Sequence, residues 1–333
     1  MVLLAHDERL PPGSPPVAIK CIARWWLCGD RQRKCAEREI KNHRKLYHKH
    51  VVAFREAFLT QTHLCIVLDY ATRGNMHRLL RDCYGGRVEE DVARWYFQML
   101  ITAVDYCHKR GVSNRDIKLD NLLVEQTDEQ CLPILLICDF GLSKHNESIT
   151  PPSTNVGTPI YQAPEVIFSC GQCDYDPEMV DIYSCGVVLY RMLFGIDKAP
   201  MGDLHMEPNQ SYQEYVHKLQ ALIVSKGDDA VLLPRPGCGQ LSSECMDLLR
   251  RMLAVDPGNR ITMDEIWAHP WFTVDLPRGT RKYNSAMCSS AVLEKHFSKV
   301  QSEEELQEIV AASGQRNLTN GLVHRVGSIR RLF

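Results

Sequence analysis

Residues 17–23, VAIKCIA, alternate apolar and polar positions and predict a short strand that ends in charge. The stretch before it, residues 1–16, contains PPGSPP; proline lacks the ladder donor, so this segment is expected to be irregular. From 31 to 47, Ala36, Ile40, His43 and Leu46 or Tyr47 recur at helical spacing. Glu39 lies on that stripe while Glu37 points to the far side, and a carboxylate on the inward face needs a cation. VVAFREAF and HLCIVLDYA read as two further strands, the second ending near Tyr70. After TRGN the pattern becomes helical. Residues 89–110 predict an amphipathic helix with Val92, Tyr96, Met99, Ala103 and Cys107 on one face. LLVEQTDEQCLPILLICDFG predicts two short strands joined by a polar turn. Residues 181–193, DIYSCGVVLYRML, are apolar nearly all round and predict a buried central helix. Further helices fit 212–226, 242–253 and 262–268.

The pattern divides the chain into a small strand-rich part, residues 1–69, and a larger helical part, about 72–275, followed by an extension. There is no internal repeat. The net charge of −2 argues against bulk attraction to nucleic acid or to an anionic membrane. No apolar run approaches the ~20 residues of a membrane helix, and MVLLAH is too short for a signal-peptide core. Fourteen cysteines are scattered through predicted helices and strands. The close pair Cys170 and Cys173 has no partner pair at zinc-site spacing. Reduced thiols used as small apolar residues are expected, which places the protein in the cytosol or nucleus.

Four signals then fall in one chain order. Lys20 ends a strand, Glu39 faces inward on the next helix, RDIKLDN (115–121) follows a long helix, and DFG (139–141) follows two more strands. Phosphoryl transfer needs a cation on phosphates, a carboxylate near the attacking hydroxyl and oxygen ligands for magnesium. GTPIYQAPE (157–165) comes after DFG. From about residue 17 to 272 the sequence resembles the eukaryotic protein kinases.

That resemblance implies a bilobal α+β fold, with a truncated N-terminal β-lobe and a mainly helical C-lobe. It divides the chain into residues 1–16 (irregular), 17–71 (small lobe and hinge), 72–275 (large lobe), 276–300 (linker), 301–313 (a helical box) and 314–333 (a basic tail). It implies ATP and Mg2+ as cofactors, with Lys20 on the α- and β-phosphates and paired with Glu39. Asp116 would accept the substrate hydroxyl proton, and Lys118 would sit on the transferring phosphate, a serine/threonine-type pattern. Asn121 and Asp139 would ligate magnesium, and Thr158 would help fix Asp116 and Lys118. Leu68 resembles the gatekeeper, with Asp69, Tyr70 and Ala71 as the hinge to adenine and Ala18 and Leu123 lining the nucleotide site. Glu165 would pair with Arg260, and Asp181 would brace the catalytic loop. Arg115 would receive a phosphate placed on the activation segment by an upstream kinase and removed by a phosphatase. The candidate acceptors are Ser148, Thr150, Ser153 and Thr154, of which Ser153 matches best, with Thr154 beside it.

REIKNHRKL, ICDFGLSK, STNVGTPIYQAPEVI and HPWFTVDLP are similar to the plant and algal osmotic-stress kinases, the second subfamily of sucrose-non-fermenting-related kinases. QSEEELQEIV (301–310) is similar to the helical box behind their kinase domain. Here Ser302 and Glu305 predict a capping box, and Leu306, Ile309 and Val310 form an apolar stripe. The family's later acidic segment is replaced by a basic tail, so partners that read that segment are not implied. Protein substrates carrying Ser or Thr, no nucleic acid, no membrane and a monomer are implied.

Two departures stand out. Gly13 is the one glycine before Lys20, so two strands and the glycine loop between them are expected to be missing, leaving VAIK with an unpaired edge. Asn114 stands where these kinases carry a His whose ring would stack within a column of His43, Phe54 and Phe140. Two readings follow: a serine/threonine kinase, slow as written or lacking part of its N-terminus, and a pseudokinase scaffold.

Overall fold

In the computed structural model of the protein, the described residues are 1–126, 128, 132–141, 159–168, 175–201, 212–231, 241–298, 300–315 and 329–332. The small lobe opens with β1 (Val2–Asp7) and β2 (Val17–Ala23), followed by α1 (Asp30–Arg44), β3 (Phe54–Leu59) and β4 (His63–Asp69). The expectation that residues 1–16 are irregular is corrected. β1 pairs antiparallel with β2, from Val2 opposite Lys20 to Ala5 opposite Val17. All four prolines of the segment lie beyond Asp7, in the connecting turn with Gly13 at φ 87°, so none removes a donor from the strand. The unpaired edge expected for VAIK is corrected with it, because β2 lies between β1 and β4.

Strand alternation gives this sheet two unlike faces. Ile22, Phe54, Ala57, Leu59, Leu64 and Ile66 face Ala36 and Ile40 of α1. Ala5, Val17, Ile19, Phe58, Cys65 and Val67 form a thinner apolar layer on the other side.

In the large lobe, α2 (Met76–Cys83) leads to α3 (Glu90–Lys109) and to the hairpin of β5 (Leu122–Glu125) and β6 (Ile134–Ile137). After α4 (Pro164–Phe168) come α5 (Pro177–Phe194), α6 (Tyr212–Lys226), α7 (Ser243–Met252), α8 (Met263–Ala268) and α9 (Pro270–Thr273). α5 is buried continuously from Val180 to Leu193, as its composition predicts. It crosses α7 closely at Gly186, where a Cβ would lie 3.0 Å from the side chains of Met252 and Leu253. α3 differs from the amphipathic reading: it is buried all round from Tyr96 to His108. Its polar members find partners far along the chain, Gln98 donating to the carbonyls of Phe272 and Val274 at 2.8 Å.

Residues 276–300, expected as a linker, carry α10 (Thr280–Met287) and α11 (Ser290–Phe297). Each turns a single buried side chain inward, Asn284 and Leu293, which leaves no stripe for periodicity to detect. α12 (Glu303–Ser313) starts at a capping box of Ser302 and Glu305 and packs Leu306, Ile309 and Val310 onto the α1 face of the sheet. Burying three such side chains contributes roughly 5 kcal/mol. Gln301 fastens the helix further, accepting from the Ala57 amide at 2.7 Å and donating to the Ala57 carbonyl at 3.1 Å. The basic tail contributes β7 (Ile329–Leu332), which pairs antiparallel with the outer edge of β1 and gives the sheet the order β3-β4-β2-β1-β7.

Candidate active site

Alternation along β2 puts Ala18 and Lys20 on the face toward α1, where the α1 stripe delivers Glu39. The Lys20 ammonium reaches Glu39 Oε1 at 2.5 Å and Asp139 Oδ1 at 3.1 Å. Glu39 is buried, so the inward carboxylate has the cation it requires. Burial opposes the Lys20 charge, but Glu39 and Asp139 outweigh it and hold the ammonium above its ordinary pKa. Burial likewise opposes ionisation of Asp139, and Lys20 with the Gly141 amide pulls its carboxyl below the usual range.

The loop after α3 is built on a buried carboxylate. Asp181, on α5 and fully buried, accepts from the Asn114 amide at 2.9 Å and the Arg115 amide at 2.7 Å. His108, at the end of α3, bonds the same carboxylate at 2.8 Å. Burial disfavours the imidazolium, yet Asp181 and its neighbours raise its pKa. These bonds hold Arg115 at φ 63°, a left-handed conformation that costs an ordinary residue about 1–3 kcal/mol. Asp139 is also held at φ 63°.

Within this frame Asp116 Oδ2 receives Lys118 Nζ and Asn121 Nδ2, both at 2.7 Å. Burial pushes the Asp116 carboxyl up, against the pull of Lys118 and Asn121. Asn121 also donates to the Asp116 carbonyl at 2.9 Å, which leaves its amide oxygen for a further partner. Asn114 accepts from the Asp116 amide at 3.1 Å and donates to the Asp139 carbonyl at 3.2 Å. The aromatic column consists of Phe54, His43 and Phe140, with His43 6.1 Å and 4.9 Å from its neighbours. His43 is buried, bonded to the Val52 carbonyl at 2.7 Å, and pushed by burial to a pKa of about 4, so its ring is neutral.

The structure thus brings together Lys20, Glu39, Asp116, Lys118, Asn121 and Asp139. Ala18 pairs across the ladder with Leu68, and the half-buried Leu123 bridges to Asn75. Of the residues expected as the hinge to adenine, Asp69 is paired with Arg55 at 2.6 Å, Tyr70 is exposed and Ala71 is buried. Away from the cleft, Arg260 forms a fork with Glu165 at 2.7 and 3.0 Å. Thr158, Ser148, Thr150, Ser153, Thr154, Cys170 and Cys173 lie outside the described residues.

Sequence reasoning missed His108 and Arg24. Nothing in the spacing links His108 to an aspartate in another helix. Arg24 is buried at the end of α12, donating to the carbonyls of Gln61 at 2.8 Å, Ser313 at 3.1 Å, Ala312 at 3.4 Å and Gln315. Such convergence is invisible before folding.

Residues 13–272 match the family described as protein kinase domain. The chain is 40% identical over 261 residues to the serine/threonine-protein kinase SRK2I of Arabidopsis thaliana, covering 78% of this chain and 65% of that one. It is 41% identical over 271 residues to the serine/threonine-protein kinase SAPK4 of Oryza sativa subsp. japonica, covering 81% and 68%. With SRK2E of Arabidopsis thaliana it shares 37% identity over 311 residues, covering 92% and 78%. The chain therefore spans just under two thirds of the length of the first of these relatives.

Proposed function

The chain belongs to the protein kinase family, and from that premise we propose that it transfers the γ-phosphate of ATP to serine or threonine hydroxyls of protein substrates. The observation that carries this reading is the pair of linked triads: Lys20 between Glu39 and Asp139, and Asp116 between Lys118 and Asn121.

Magnesium-bound ATP supplies the phosphoryl group. Magnesium takes one or two protein oxygens and completes its shell with phosphates and water. Asn121 through its amide oxygen and Asp139 through its carboxylate would provide those oxygens. Lys20, its charge fixed by two carboxylates, would neutralise nucleotide phosphates. Asp116, its proton affinity raised by burial, would take the proton of the incoming hydroxyl. Lys118 would offset charge on the transferring group.

Arg115 suits the role of phosphate receiver. Its Nε has no hydrogen-bond partner among the described residues, and its guanidinium lies 5.2 Å from the Tyr175 ring. Ser153 or Thr154 of the activation segment would carry the phosphate, and Thr158 would support Asp116. By the resemblance to the osmotic-stress kinases, the signal served is a stress response.

The test is Mg2+-dependent transfer from labelled ATP to a serine/threonine peptide library, compared with Asp116→Asn and Asp139→Ala. Transfer lost in both variants supports the reading. Binding of Mg-ATP with no transfer by the unsubstituted protein would make it a nucleotide-binding scaffold instead.

A further inference from the structure

We propose that Cys21 and Cys65 form a reversible cross-strand disulfide, making the outer face of the small-lobe sheet a modification site for hydroperoxides. The proposal stands apart from the phosphotransfer reading.

The two residues are opposite each other in the ladder between β2 and β4, and their sulfurs are 3.8 Å apart. Both are thiols in the structure. The kind of opposition matters. The Cys21 amide donates to the Met1 carbonyl at 2.8 Å, and the Met1 amine donates to the Cys21 carbonyl at 3.3 Å. Both backbone groups of Cys21 therefore point toward the β1 side, away from β4. On the alternate phase of the same ladder, the Arg24 amide donates across to the Thr62 carbonyl at 2.9 Å. Cys21 and Cys65 are thus a non-hydrogen-bonded pair, the closer of the two antiparallel arrangements, with α-carbons about 4.5 Å apart. That separation lies within the span a disulfide tolerates, about 4.4–6.8 Å. No ladder bond has to break for the sulfurs to meet.

Exposure assigns the roles. Cys65 is buried, whereas Cys21 is half-buried and is the more open of the two residues to an oxidant. The hydrogen bond with Cys21, together with burial, holds the Cys65 thiol above the usual thiol range and makes it a poor first target for peroxide. Its sulfur, 3.8 Å from that of Cys21, is placed for the second step. In the first step Cys21 sulfur attacks one peroxide oxygen; the S–O bond forms, the O–O bond breaks, and the other oxygen leaves as water or alcohol. The Cys65 sulfur then attacks the Cys21 sulfenic acid; the S–S bond forms, the S–O bond breaks, and water leaves with the Cys65 proton. Two electrons pass from the thiols to one peroxide, and a dithiol reductant returns them.

The bond would staple the strand that carries Lys20 to the strand that runs into residues 69–71, enclosing α1 within its loop. Lys20 itself projects from the opposite face, so the staple need not obstruct the cleft. The layer it would reinforce is the thinner one.

The experiment exposes the full chain to mild hydrogen peroxide, quenches with an alkylating agent and maps peptides by mass spectrometry without reduction. A Cys21–Cys65 linked peptide is expected, about 2 Da lighter than the two thiol peptides combined, and lost on dithiothreitol treatment. The oxidised chain is expected to melt about 5 °C higher, reversibly. In Cys65→Ala, oxidation is expected to stop at a Cys21 sulfenic acid that dimedone traps, with no rise in melting temperature. Alkylation of both thiols after peroxide, or sulfinic acid on Cys21 of the unsubstituted chain without the link, would overturn the proposal whatever the behaviour of the variant.

Discussion

Asn114 ties the catalytic loop to the aspartate of the DFG turn: its amide nitrogen lies 3.2 Å from the Asp139 carbonyl while its oxygen accepts the Asp116 amide. Asn114 supplies no ring to the column, in which Phe140 stacks on His43 at 4.9 Å. The hydrogen-bonding half of the support is nonetheless present at both ends. Two bonds of this kind, each worth about 1 kcal/mol, hold the two carboxylates in mutual register. Asn114→Leu keeps the volume and removes both bonds. We expect kcat to fall by about tenfold with little change in KM for ATP, as measured by steady-state transfer kinetics.

Asp116 has a raised carboxyl pKa from burial, opposed by Lys118. In the proposed role of base Asp116 would work ionised, so activity is expected to decline as pH falls through that raised value. Lys118→Met removes the opposing pull. The acid limb of the kcat/KM profile is then expected to move to higher pH, beyond the drop in rate that loss of the cation causes by itself. An acid limb that stays in place would separate Asp116 from the proton transfer.

Arg260 has a fully buried side chain, with Glu165 and the carbonyls of Met179 and Ala254 around it. Removing one member of such a pair strands the other. Arg260→Ala is expected to cost about 3–5 kcal/mol in urea unfolding. Glu165→Gln, which keeps hydrogen-bond acceptance, should cost less.

Arg24 closes the carboxyl end of α12 with donors to four backbone carbonyls. Charged donors to buried acceptors are the costly ones to delete, and Arg24→Ala is expected to destabilise the small lobe by about 3 kcal/mol. Hydrogen exchange should show the loss first in α12 and α1. Because α1 carries Glu39, KM for ATP should rise while the pH profile keeps its shape.

What could be read along the chain was whatever repeats locally. The α1 stripe located Glu39 on the inward face because helical spacing fixes direction, and VAIKCIA marks β2 from Val17 to Ala23. Local rules failed where distant partners decide the outcome. Gln98, Asp105 and His108 look like a solvated face of α3. Each is accommodated in the interior because the Phe272 carbonyl, Asn284 or Asp181 satisfies it. β1 is hidden for another reason: the prolines that exclude a strand stand only at 11–16, and Val2–Asp7 carries none of them. The candidate site was more legible than the scaffold, since its polar residues sit in short motifs whose order carries the information.

The pairing of β1 with β7 sets a timetable for folding. Residues 2–7 emerge from the ribosome well before 329–332, and until those follow, the outer row of amides and carbonyls on β1 waits for its β7 partners. Throughout that interval the row can recruit a strand from a neighbouring nascent chain. Close spacing of ribosomes on one message should therefore raise the share of this protein lost to aggregates.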